Sequence, residues 1–248
     1  MKEEVIGSKL IAVISVFFIS FWSFGQVISS GEIIYEKRTN LEKRYEGTQR
    51  FGGNSNKWIK EPKIDKYVLY FNESASVFVP IPPDVGDEDR EWSTMKNSTY
   101  RNYKENKMER QFSYYGSELY LRDSLKERDW IITENRREIA GFETKQALWI
   151  ANDSTRIYAW YAERLTPSTG PESFGGLPGT ILGLALEDGG VVYFAREVKT
   201  LSEDDIYKQM PKGKEKDYYN KDSLKEFVIE LFSGRGAGGR IFDDIFVW

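Results

Sequence analysis

The chain has no cysteine and no histidine in 248 residues. Without thiol or imidazole there can be no Ser-His-Asp triad or Cys-His dyad, and no zinc, copper or haem held by thiolate or imidazole. Disulfides and an N-terminal lipidated Cys are excluded as well. An enzyme on this chain would have to work with carboxylates, Lys, Tyr or Ser, or with a hard cation held by oxygen ligands. No cofactor is expected. Concentrated basic charge is also missing: Arg136 and Arg137, or Lys212, Lys214 and Lys216, are interleaved with acids, and the net charge is −4. A phosphate-binding surface needs clustered Lys and Arg, so nucleic acid is not expected as a partner.

Long apolar runs are scarce too, with one exception, Leu10–Phe24, which follows Lys9 and is followed by the small and polar residues Gly25 and Gln26. The run is shorter than the roughly 20 residues a spanning helix needs, and no basic stop-transfer cluster follows it. Residues 1–25 therefore read as an export signal, with a retained anchor as the alternative, although Glu3 and Glu4 neutralise its basic end. Removing them leaves the net charge at −4, because Lys2 and Lys9 offset Glu3 and Glu4. Residues 26–248 are expected to form a single β-rich domain, long enough to bury a core without staples.

From Ser30 to about Val198 the sequence is a succession of short aromatic and β-branched runs, the pattern of antiparallel sheet. Expected strands are 32–39, 65–72, 75–80, 110–115, 118–123, 130–133, 137–141, 144–151, 154–162, 181–187 and 191–199. Within 154–162, Ile157, Ala159 and Tyr161 fall on one face, opposite Arg156, Tyr158, Trp160 and Ala162. Asn152-Asp153 and Asp188-Gly189-Gly190 supply hairpin turns. A meander this long must curl, so the expected fold is mainly β: a strongly curved antiparallel sheet or half-barrel. Two short helices are expected late in the chain, Ser202–Gln209 and Asp222–Phe232, the second with a stripe of Leu224, Phe227, Val228 and Leu231 to dock on the sheet. Ser233–Arg240 reads as a loop and Ile241–Trp248 as a last strand.

Several patterns carry less than they first suggest. Gly234-x-Gly236-x-x-Gly239 has the glycine spacing of a dinucleotide loop, but a helix precedes it and none follows, the reverse of what that loop requires. The acids Asp84, Asp87, Glu88, Asp89 and Glu91 lack the alternate spacing of a calcium loop, and a Pro-stiffened solvated loop is the preferred reading. The terminal Phe242, Phe246 and Trp248 resemble the closing strand of an outer-membrane barrel, but the charged stretch 93–110 breaks the alternation such a barrel needs. Trp130, Trp149, Trp160 and Tyr161 suit either core packing or an aromatic groove. Glu134, Asp153 and Glu172 are the carboxylates a hydrolase could use, yet no spacing pairs them.

The segment Gly170-Pro171-Glu172-Ser173-Phe174-Gly175-Gly176-Leu177-Pro178-Gly179 holds four Gly and two Pro immediately before an apolar run. Pro178 followed by Gly179 predicts a type II turn over Leu177–Thr180, aiming the chain rigidly into a strand. Together with Trp130-Ile131-Ile132, Ile139-Ala140-Gly141-Phe142-Glu143-Thr144 and Ala159-Trp160-Tyr161, this segment resembles the GLPGLI family, exported proteins of Gram-negative bacteria. Thr180 replaces the Leu of the name motif, and Thr144 stands where many members carry Cys. The resemblance makes Trp130, Gly141, Trp160, Tyr161, Gly170, Pro171, Phe174, Gly175, Gly176, Leu177, Pro178 and Gly179 the family-motif and candidate contact residues. It implies a periplasmic or outer-membrane-peripheral location and an outer-membrane or periplasmic protein partner. The expected function is that of a non-catalytic interaction or accessory protein, with no metal site. The alternative is a carrier holding a lipid or other apolar ligand in the concave sheet.

Overall fold

The computed structural model describes residues 27–46, 57–84, 88–114, 117–152, 155–202 and 218–232. The export signal, nearly all of the helix expected at Ser202–Gln209, the loop and strand expected after residue 232, and Asp153 lie outside the described residues. Among the described residues twelve strands form one open, curled sheet: β1 Gly31–Thr39, β2 Lys63–Phe71, β3 Ala75–Pro80, β4 Asn97–Asn102, β5 Lys107–Tyr114, β6 Ser117–Ser124, β7 Ile131–Ile139, β8 Phe142–Asn152, β9 Thr155–Ala162, β10 Thr180–Leu186, β11 Val191–Thr200 and β12 Tyr218–Tyr219. Their order is β12-β6-β5-β4-β3-β2-β1-β11-β10-β9-β8-β7. Every pairing is antiparallel except β12 with β6. The mainly β, strongly curved architecture expected from the sequence is what the chain adopts.

Period-2 alternation selects the inner face. In β1, Ile33, Tyr35, Lys37 and Thr39 are buried while the residues between them are partly exposed. Register carries this row across the sheet: Tyr193, Lys37 and Asp65 lie side by side on β11, β1 and β2. Ser76, Arg101 and Met108 do the same on β3, β4 and β5, as do Phe78, Thr99 and Arg110. Phe71 and Phe78 from β2 and β3 share one apolar cluster with Ala147, Ile157, Ala159 and Tyr161 from β8 and β9. Strands so far apart in sheet order can meet only because accumulated twist folds the sheet over its own inner face.

Two differences from the expected strands have physical reasons. The segments 130–133 and 137–141 are one strand, β7, whose register against β8 shifts between Ile132 and Arg136. Ala140 and Gly141 form its two-residue turn, both at positive φ (50° and 81°), as a hairpin of this length requires. Strand β4 was not expected, because its inward residues Asn97, Thr99 and Arg101 are polar and give no apolar alternation.

Beyond the sheet, the described residues contain single helical turns at Leu41–Arg44 and Lys57–Lys60, a 3-10 segment Glu88–Ser93, and the helix Lys221–Phe232. The last is capped by Asn220 rather than opened by Asp222. Asn220 Oδ1 accepts from Ser223 N at 2.9 Å, and Ser223 Oγ accepts from Asn220 N at 3.1 Å, a reciprocal capping pair. Leu224 and Val228 then dock on Phe112, Leu119 and Leu121, covering the β6 end of the sheet.

Candidate functional site

The connection from β9 to β10 does not run over the surface as most connections do. Its Gly-Pro segment crosses the inner face of the curled sheet as a strap, and side chains from β1, β3, β4, β5 and β11 reach up to hold it. Arg101 on β4 does most of this. Its Nη2 donates to the carbonyls of Gly170 (3.2 Å), Phe174 (3.3 Å) and Glu172, and its Nη1 to Ser76 Oγ (3.2 Å) and Thr169 Oγ1 (3.4 Å). One buried guanidinium thus satisfies backbone acceptors that would otherwise be left dry in the core.

Glu172 sits at the centre of the strap, fully buried, with its backbone at φ 50°. A non-glycine residue there costs about 1–2 kcal/mol, and what the conformation gains is a carboxylate aimed inward. Tyr193 OH donates to its Oε1 at 2.6 Å, and Asn97 Nδ2 to its Oε2 at 3.2 Å. Arg110 Nη2 donates to Oε2 at 3.3 Å, and Lys37 Nζ lies 3.8 Å from Oε1. On the far side, Arg128 donates to Ser173 O (2.9 Å) and Oγ (2.8 Å) and stacks over the Phe174 and Trp149 rings. Trp130 Nε1 donates to Gly175 O at 3.0 Å.

Positive charge is in surplus here. Burial pushes the Arg101 and Arg110 guanidiniums below their usual range, with Glu172 pulling each partly back. Arg128 is brought down to about 9 by burial, then by Arg101 and Arg110. Lys126 falls to about 6 through burial, then the neighbouring Arg110, Arg128 and Lys221. Burial and then the Glu172 carboxylate push the Tyr193 phenol well above its ordinary value, so it is a proton donor at any physiological pH. Glu172 is the carboxylate that Arg110 and Lys37 face, and with Tyr193 and Asn97 it has four contacts.

The strap's ends are fixed by backbone. Ile181 N donates to Thr169 O at 2.8 Å, and Thr180 N to Leu165 O at 2.9 Å. The second bond displaces the expected type II turn. Thr180 N is committed to Leu165, and Gly179 N closes a tighter turn on Leu177 O at 2.7 Å. Gly179 has φ 147°, and a Cβ there would lie 2.3 Å from Ala162 O. Only glycine fits where the strap passes this close to the end of β9.

Of the residues singled out in the sequence, Trp130, Gly170, Pro171, Phe174, Gly175, Gly176, Leu177, Pro178 and Gly179 come together at the strap. Only Gly176 and Pro178 among the ten strap residues 170–179 are exposed. Tyr161 packs in the apolar cluster that Phe174 and Leu177 also join. Trp160 points to the outer face, under the Arg137 guanidinium at 3.6 Å, and Gly141 sits in the open β7–β8 turn, where an added Cβ would meet nothing within 4 Å. Arg101, Arg110, Lys37, Asn97, Tyr193 and Arg128 were not singled out. Their signal was available in part: Arg110 alternates with Met108 and Phe112, both buried, so its side chain had to enter the core.

Of the acidic cluster read from the sequence, Asp87 lies outside the described residues. Glu91 pairs with Lys63 at 2.6 Å and Lys96 at 3.1 Å, and Asp84 with Lys66 at 2.7 Å, which suits the solvated-loop reading of that cluster. Among the described residues no group of three acids is placed to hold a metal ion. Glu134 lies exposed on β7, away from Glu172.

Comparison with known proteins agrees with the fold and stops there. Residues 87–183, which include the strap but less than half of the chain, match the Porph_ging family, described as proteins of unknown function. No curated protein matches. Among solved structures, PNGF-II in a P21 and in a C2 crystal form superimposes with TM-score 0.54 at 16% identity, covering 80% and 82% of this chain. An uncharacterised conserved protein from Thermus thermophilus overlaps at TM-score 0.36 and 11% identity, over 77% of this chain and 90% of its own. This chain spans about a third of the PNGF-II chains (32% and 33%), and at 16% identity the likeness is one of fold. The chain is similar to the Porph_ging proteins over the stretch that carries its strap.

Proposed function

We propose that this chain is a non-catalytic accessory protein, exported through residues 1–25, that acts at the periplasmic or outer-membrane face by binding another protein. The filled inner face carries this reading. A carrier would need that space for an apolar ligand and a hydrolase would need it for substrate, but the chain's own strap occupies it. The carboxylate within it, Glu172, is committed to Tyr193, Asn97, Arg110 and Lys37. What stays available to a partner is the outer surface. Within the matched family, the motif Phe174-Gly175-Gly176-Leu177-Pro178-Gly179 favours a GLPGLI-type affiliation.

Affinity capture of the tagged chain from native membranes tests this. A second protein should be recovered in stoichiometric amount and should recover this chain in turn when it is itself tagged. Recovery of the tagged chain alone contradicts the proposal. A lipid co-purifying at one per chain, seen by native mass spectrometry, contradicts it in favour of a carrier.

A further inference from the structure

We infer that the Arg137 guanidinium on the outer face is the docking point for an acidic side chain of a protein partner. This rests on the accessory-protein reading and names where that partner is held. Arg137 stands over the Trp160 ring at 3.6 Å and also faces Phe194 at 5.4 Å. Strand register explains how it reaches them. Trp160, Gly183 and Phe194 lie side by side on β9, β10 and β11. The glycine leaves a gap between the two rings, and side chains from the end of β7 fill it: a Cβ on Gly183 would lie 3.3 Å from Arg137 Nη2 and 3.0 Å from Ile139 Cδ1. Ile139 is buried, which fixes the end of β7 and sets Arg137 two residues away on the same face. The guanidinium is thereby pre-organised against aromatic surface.

Its charge has no carboxylate to face. Among the described residues the guanidinium makes ring contacts and no hydrogen bond or ion pair. Desolvation lowers its pKa from the usual arginine value, and no neighbouring charge of either sign contributes. Its neighbours on this face differ: Arg196, which shares the Phe194 ring, pairs with Glu36 at 2.5 Å, and Arg156 pairs with Glu187 at 3.2 Å. Arg137 is exposed as a residue, so its N–H donors are within a partner's reach. A planar fork with no second uncommitted cation beside it matches one carboxylate, whereas a phosphate surface gathers several cations. The next row on the same three strands, Tyr158, Ala185 and Val192, is partly exposed and apolar apart from the Tyr hydroxyl. A carboxylate arriving on a protein segment can therefore bury apolar surface beside it. Aromatic rings around an Arg are the composition of an interface anchor.

Affinity capture from native membranes with variants of the tagged chain tests this. Arg137→Ala and Arg137→Glu should each lower recovery of the second protein by at least about tenfold. Arg137→Lys keeps the charge but not the planar fork and should restore only part of it. Gly183→Ala leaves every charge in place but crowds the guanidinium, and it should weaken recovery too. Arg156→Ala, at a surface ion pair, should stay within about twofold of the wild type. With the recovered protein purified, exchange of one of its acidic residues for Lys should restore binding to Arg137→Glu. The Arg137 variants should melt with the wild type, and if one does not, the other exchanges at Arg137 decide. If the wild type recovers no second protein, this inference and the accessory-protein reading fall together. Equal recovery by the wild type and the Arg137 variants overturns this inference and leaves that reading standing, as does failure of every acidic exchange to restore the purified pair. Binding of the wild type, but not of Arg137→Glu, to phosphatidylglycerol vesicles without protein assigns the guanidinium to a lipid phosphate and also overturns it.

Discussion

Replacing Glu172 by Gln should destabilise the chain by about 3–5 kcal/mol, the usual result of removing one partner from a buried ion pair. The amide keeps the volume and offers one carbonyl acceptor, but it removes the negative charge that Arg110 and Lys37 face at the strap. It also turns one acceptor into an NH2 group beside the Asn97 amide and the Arg110 guanidinium, which are both donors. In a domain of this size each kcal/mol is worth roughly 2–4 °C, so the melting temperature should fall by on the order of 10 °C. Thermal unfolding followed by circular dichroism reads this directly. An unchanged midpoint would mean that the strap is not anchored through its carboxylate. Glu134→Gln on the exposed edge is the matched control and should shift the midpoint little.

Gly179→Ala should be nearly as costly, for a backbone reason. The φ of 147° strains any L residue by about 1–3 kcal/mol. The added Cβ would also lie 2.3 Å from Ala162 O, a main-chain atom that cannot rotate away. Together these should cost at least about 3 kcal/mol, a large share of a typical total of roughly 5–15 kcal/mol. Gly141→Ala separates the two contributions. Gly141 also has a positive φ, 81°, but an added Cβ would meet nothing within 4 Å, so only the conformational cost of about 1–2 kcal/mol applies. Denaturant titration of the two variants side by side checks the ranking. A Gly179→Ala variant no weaker than Gly141→Ala would contradict the close passage of strap and β9.

Much of the sheet was legible because its strands alternate. Ile157, Ala159 and Tyr161 on β9 read as one apolar face and are all buried. The turn at Asp188-Gly189-Gly190 separated β10 from β11 by local chemistry alone. Residues that break alternation were harder to read. Asn97, Thr99 and Arg101 look like a solvated segment, and Asn97 and Arg101 are inward because the strap brings them a carboxylate and carbonyls to bond. The strap's rigidity was visible in its Gly and Pro content, but its burial was not. Its partners come from β1, β3, β4, β5 and β11, and no local pattern encodes contacts so distant in sequence. Glu172 was therefore visible only as one carboxylate among several, until Tyr193, Asn97, Arg110 and Lys37 were placed around it.

The central claim is that the Gly-Pro strap is part of the core, closing the inner face rather than lining an accessible site. Native-state hydrogen exchange of the strap amides tests it most directly. Phe174, Gly179, Thr180 and Ile181 donate to Pro171, Leu177, Leu165 and Thr169 within this layer. Their amides should exchange only through global unfolding, as slowly as those of β1 and β11. Exchange of the strap at a much lower opening free energy, with β1 and β11 still protected, would show that it lifts off the sheet as a separate unit and would contradict the account.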